Sequence, residues 1–102
     1  VQHLDLSNNN LNLIPPDIGR LIELKYLNLA WNKLTALPEE FGELWKLERL
    51  DLSRNDIRDV GDAIGVITRL PNLKILFLRE NPLIGIENLA NVAVKVLDIS
   101  HC

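Results

Sequence analysis

An eleven-residue pattern recurs five times along this 102-residue chain, and no other feature restricts its fold so tightly. It is seen most cleanly at Leu47-Glu-Arg-Leu50-Asp-Leu52-Ser-Arg-Asn55-Asp-Ile57, which reads LxxLxLxxNxL. The copies begin at Val1, Leu24, Leu47, Leu73 and Val94, in steps of 23, 23, 26 and 21 residues. Position four holds Leu4, Leu27, Leu50, Leu76 and Leu97, and position six holds Leu6, Leu29, Leu52, Leu78 and Ile99. Position nine runs Asn9, Asn32, Asn55, Asn81 and then Cys102. A period of 20–50 residues with a fixed apolar frame is the mark of a stacked-repeat architecture.

The spacing inside the pattern predicts a short strand in each copy. Positions four and six point inward and the residue between them outward, the two-residue period of a strand. Each turn buries its aliphatics against its neighbours, so the aliphatic set is expected to be core. The Asn column is expected to be structural. Where the backbone turns after each strand, a carboxamide offers two donors and an acceptor to peptide groups that have left the ladder. Asn9, Asn32, Asn55, Asn81 and Cys102 are read as that internal ladder, with the Cys thiol a small, weakly polar substitute.

Between strands run the return segments. The first two are near-copies, Ile14-Pro-Pro-Asp-Ile18-Gly-Arg-Leu21 and Leu37-Pro-Glu-Glu-Phe41-Gly-Glu-Leu44. Proline followed by acids suits a helical first turn, and Gly19 and Gly42 are expected to break or tighten it. In the third return, Val60, Ile64, Ile67 and Leu70 at helical spacing predict a helix over 61–69 ended by Pro71. The fourth, residues 84–93, spaces Ile86, Leu89 and Val92 by three.

The repeats resemble the leucine-rich repeat family over essentially the whole chain. The first two return segments are similar to those of its intracellular class, found in Ras-pathway scaffolds, Scribble-like scaffolds and plant relatives. The fourth resembles a phosphatase-regulator repeat. The resemblance implies a right-handed α/β solenoid with five parallel strands on a concave face and turns or short helices behind. It also implies a module that binds a protein or peptide partner on the concave face. Neither end carries a polar cap, so further repeats or capping elements are expected on both sides of residues 1–102.

Composition narrows the remaining classes. A formal charge of −3 argues against nucleic acid or an anionic membrane surface as partner. No apolar run approaches the roughly 18 residues of a membrane helix. One cysteine cannot close an intrachain disulfide, and there is no N-x-S/T sequon. Both point to a reducing, intracellular setting, cytoplasmic or nuclear.

No catalytic, metal or cofactor constellation is expected. His3 lies on the first strand and His101 follows the fifth, four strand spacings or roughly 19 Å away, too far to share an ion. Asp5, Asp51 and Asp98 share the fifth column and are read as solvated surface. The outward slots carry a more specific signal. They include Tyr26, Ala30 and Trp31 in the second repeat, Arg49, Ser53 and Arg54 in the third, and Ile75, Phe77 and Arg79 in the fourth. Aromatics interleaved with arginines have the composition of an interface hot spot. The proposed contact set is Tyr26, Trp31, Arg49, Arg54, Phe77 and Arg79; the plainer reading is that each aromatic packs on a cross-strand neighbour. The strand faces hold six basic and five acidic residues against five and nine elsewhere, so about +1 faces about −4. Trp45 is expected to lie part-exposed away from that face. The rival class is a substrate-recognition or regulatory part of a larger enzyme (nuclease, phosphatase, cyclase or ubiquitin ligase). A third reading is a fragment of an innate-immune or pathogen-effector receptor.

Overall fold

The computed structural model describes residues 2–59, 65–84, 94 and 96–100. Five three-residue strands, β1 (His3–Asp5), β2 (Tyr26–Asn28), β3 (Arg49–Asp51), β4 (Ile75–Phe77) and β5 (Val96–Asp98), form one parallel sheet in chain order. The register is that of the repeat: Leu4 lies opposite Leu27, Leu27 opposite Leu50, Leu50 opposite Leu76, and Leu76 opposite Leu97. The longer third step and shorter fourth are absorbed in the return segments, because a slip of one residue would turn every leucine outward.

The core is the aliphatic frame. Leu27, Leu50 and Leu76 at position four and Leu29, Leu52 and Leu78 at position six are all but fully buried. Each such side chain contributes roughly 1.5–3 kcal/mol relative to exposure. The frame is less complete at its two outer strands. Leu4 and Leu6 are only partly buried, and Leu97 is 39% exposed, since each outer strand has one neighbour among the described residues. Phe41 from the second return is fully buried and closes the side opposite the strands.

Behind the sheet, the returns form 3-10 turns at Pro16–Arg20, Glu39–Glu43 and Gly65–Arg69. Pro15 and Pro38 stand at the N-caps in extended geometry, with Asp17, Glu39 and Glu40 in the first turns. The glycines do not break these turns; both sit inside them. Gly19 is required by a close approach, because a Cβ there would lie 2.8 Å from the Glu40 carbonyl oxygen of the next turn. At Gly42 the nearest atom is the movable guanidinium of Arg69, at 2.9 Å. The third return is 3-10 over its described part, so Val66 and Ile67 reach the core through a tighter coil than the helix expected over 61–69. Val60 and residues 61–64 of that expected helix, and Ile86, Leu89 and Val92 of the fourth return, lie outside the described residues.

Of the expected ladder, Asn32, Asn55 and Asn81 are buried, and their bonding is regular. Asn32 Nδ2 donates to the carbonyls of Leu6, Leu29 and Ala30, while its Oδ1 accepts from the N–H groups of Asn9 and Leu11. Asn55 Nδ2 donates to Leu29, Leu52 and Ser53, and Oδ1 accepts from Leu34 N–H. Asn81 repeats the scheme on Leu52, Leu78 and Arg79, and accepts from Asn55 and Ile57. Each Asn therefore bonds within its own turn and to the turn before it. Asn9, on the first turn, is exposed and bonds only Leu6 and Ser7 of its own turn through Nδ2. Cys102 and His101 lie outside the described residues. No described helix is long and apolar enough to cross a membrane.

Candidate interaction surface

The outward column at position five is more than a solvated face. Asp5, Asn28, Asp51 and Asp98 each accept, through Oδ1, the N–H two residues on, from Ser7, Ala30, Ser53 and Ser100. This side-chain turn, repeated on four strands, holds the chain as it leaves the sheet. The Ser7 hydroxyl adds a 2.6 Å bond to Asp5. Together the hydroxyl and the N–H of Ser7 hold the Asp5 carboxyl below its ordinary range. An Asx followed two residues later by a small residue was the available signal, and reading the acids as surface missed it. Ala30 and Ser53, expected to face outward, are correspondingly buried.

Phe77 interrupts that column on β4. It has no oxygen for Arg79 N–H, and the Ser53 hydroxyl of the preceding repeat accepts that proton instead at 3.2 Å. The substitution of an aromatic is thus compensated by a neighbour, and a ring stands where the other strands carry a turn-forming side chain.

Position eight is distinctive in another way. Asn8, Trp31, Arg54 and Glu80 all have positive φ, at 60°, 61°, 56° and 57°. Asn accepts the left-handed region readily; Trp, Arg and Glu do not, and each bulky residue there costs about 1 kcal/mol or more. In register these three form a row. The Arg54 guanidinium lies 4.0 Å from the Trp31 ring centroid and pairs with the Glu80 carboxylate on its other side. Trp31 remains 55% exposed.

The other expected contact residues divide as follows. Arg49 lies over the Phe77 ring, 5.5 Å from its centroid. Tyr26, 40% exposed, packs against His3 with the rings tilted by 50° and 4.4 Å between centroids. Arg79 turns toward β5, with Nε donating to Ser100 Oγ at 2.9 Å and 3.7 Å from Asp98 Oδ2. Each of the three expected contact aromatics, Tyr26, Trp31 and Phe77, therefore packs on a residue of a neighbouring repeat, and each also keeps a solvent-facing part. Trp31, Arg49, Arg54, Phe77 and Arg79 come together around an open hollow of about 350 Å³. Tyr26 is set apart from it, in a second hollow of about 270 Å³ with His3. Arg49 and Asp51 line both. Trp45 is half exposed off this face, with Lys46 Nζ 5.0 Å from its ring and its carbonyl accepting from Asn72 Nδ2. Among the described residues no group of three His, Cys, Asp or Glu side chains could hold a metal ion.

A five-stranded parallel sheet in chain order is the geometry the repeat resemblance implied. A sequence profile of a leucine-rich repeat region matches residues 1–101. The chain belongs to the leucine-rich repeat family. No curated protein sequence matches it. Among solved structures it is similar to the leucine-rich repeat protein LIC12759 of Leptospira interrogans. That likeness has a TM-score of 0.78 and 35% identity over 92% of this chain and 25% of that one. It is also similar in fold to internalin C2 of Listeria monocytogenes, with a TM-score of 0.64 and 21% identity. That match covers 98% of this chain and 52% of the internalin. This leucine-rich repeat region thus spans about a quarter of one relative and about half of the other.

Proposed function

We propose that this leucine-rich repeat region is a protein–protein interaction module without catalytic chemistry of its own. It binds a protein or peptide partner on its strand face. Trp31, Arg49, Arg54 and Phe77 form the centre, Arg79 the side toward β5, and Tyr26 an outlying anchor. The observation that carries the reading is the choice of residues at two structural columns. Position eight accepts Asn in the first repeat, and position five accepts Asn in the second. Trp31 and Phe77 stand at those positions in place of residues that suit the backbone better. Folding does not call for them there, whereas an interface does.

That contrast supplies variants that spare the fold. Trp31→Asn puts a left-handed-tolerant residue at position eight. Phe77→Asn returns a local acceptor to Arg79 N–H. The test is quantitative co-purification from the source cells with the wild type, each variant and Trp45→Ala. Partners should be lost with the strand-face variants and kept with Trp45→Ala, with melting temperatures within a few degrees. Partners kept by both strand-face variants and lost with Trp45→Ala would place the interface on the other side.

The apolar flank of the first repeat supports a further part of the reading. Leu4, Leu6, Leu11, Ile14, Ile18 and Leu21 line an open hollow of about 400 Å³ there, where a neighbouring turn would otherwise pack. We infer that another repeat or a cap covers it in the whole protein. The single cysteine is the ground for a reducing, intracellular location, which localising the tagged whole protein would test.

A further inference from the structure

Resting on the strand-face reading, the charges of that face narrow what it can take. Three arginines reach the larger hollow, but two are already neutralised. Arg54 is held between the Trp31 ring and the Glu80 carboxylate, and Arg79 between Asp98 and Ser100. Arg49 differs. Among the described residues it makes no ion pair; its guanidinium rests on the Phe77 ring, and it borders both hollows. Displacing Glu80 or Asp98 would cost a partner what it gained at Arg54 or Arg79. Arg49 offers donors with no such exchange, and a guanidinium on an aromatic keeps its in-plane N–H fork free for a carboxylate.

We propose that the partner presents an extended segment with a single carboxylate between apolar side chains. The carboxylate lies on Arg49 and the apolar groups lie to either side, against the exposed parts of Tyr26 and Trp31. The dimensions agree. The hollows together run from β1 to β4, three strand spacings or roughly 14 Å. An extended chain covers that in about four residues at roughly 3.3 Å each. A strongly acidic segment fits less well, because Asp51, Glu80 and Asp98 lie on the same face.

Asp51 supplies a test of sign. It borders both hollows beside Arg49, and its Oδ1 is committed to Ser53 N–H. Asp51→Asn keeps that acceptor and removes the charge. For a carboxylate ligand the change removes repulsion and tightens binding; for a cationic ligand it weakens it.

The experiment titrates blocked heptapeptides into the isotope-labelled chain and follows Trp31 and Arg49 side-chain resonances. One peptide has a central Glu with Leu on both sides; in two others Gln or Lys replaces the Glu. The Glu peptide should bind about tenfold more tightly than the Gln peptide, a charge-assisted bond's worth. Arg49→Gln should erase that ratio, Lys74→Gln should leave it, and Asp51→Asn should raise Glu-peptide affinity severalfold. Equal binding of the Glu and Gln peptides at the same resonances would overturn the carboxylate inference and leave the strand-face reading standing. A preference for Lys that Asp51→Asn abolishes would overturn it in favour of a cation site. No shift with any peptide would also overturn it, while the strand-face reading is decided separately by the co-purification comparison.

Discussion

Replacing Asn55 by Leu removes four side-chain hydrogen bonds from the middle of the solenoid, and the structure says which of them matter. The three carbonyls that Asn55 serves each keep a second donor. Leu29 O still accepts from Asn32 Nδ2, Leu52 O from Asn81 Nδ2, and Ser53 O from Trp31 N–H. The Leu34 N–H has no such reserve: its bond to Asn55 Oδ1 is 3.0 Å long, and Leu34 is fully buried. The cost is therefore dominated by one stranded buried donor, about 1–3 kcal/mol, with about 1 kcal/mol more for the weakened carbonyls. At about 4–8 °C per kcal/mol for a domain of this size, the melting temperature should fall by at least 8 °C. Asn55→Asp is the informative companion. It keeps an acceptor for Leu34 but turns a buried anion toward three carbonyls, so it should be at least as damaging at pH 7. Asn9→Leu, on the exposed first turn, should cost under about 0.5 kcal/mol. Thermal unfolding followed by circular dichroism decides the matter. An Asn55→Leu midpoint within 2 °C of wild type (about the error of such a scan), or an Asn9→Leu loss equal to it, would refute the ladder argument.

Three other outcomes are expected. Gly19→Ala should cost about 1–3 kcal/mol because the new methyl meets backbone, whereas Gly42→Ala should cost little because an arginine side chain can swing aside; equal effects in denaturant unfolding would remove the distinction. Ser53→Ala should cost about 1 kcal/mol by stranding Arg79 N–H, and adding Phe77→Asn should recover it; purely additive losses in the double-mutant cycle would contradict the rescue. Glu23, beside Lys46, and Asp5, bonded by Ser7, titrate below their ordinary 4.5 and 3.8. Their contribution is present above those values and is lost as pH falls through the lowered ones. The Glu23→Gln, Asp5→Asn double variant should therefore lose stability less steeply than wild type below pH 4.5, and parallel melting curves would count against it.

The repeat period, the inward leucines and the Asn ladder were all legible in the chain, because each is a column of like residues with one demand on every copy. Buried Leu27, Leu50 and Leu76 meet the same environment, and register leaves them no alternative. The candidate surface was legible only as composition. Sequence distinguished outward from inward at Trp31 and Phe77, but could not show that position eight forces a left-handed backbone, since that angle arises from how one turn meets the next. Nor could it show that Asp51 and its column brace the turns, or that Ser53 supplies the acceptor Phe77 lacks across 26 residues. Which of the three arginines makes no ion pair among the described residues was likewise a tertiary matter. Arg49, Arg54 and Arg79 look alike in the chain and differ only because Glu80 and Asp98 are brought beside two of them. A periodic pattern determines what every repeat must share; side-chain pairings between repeats, separated by a full turn of chain, exist only once the turns are stacked.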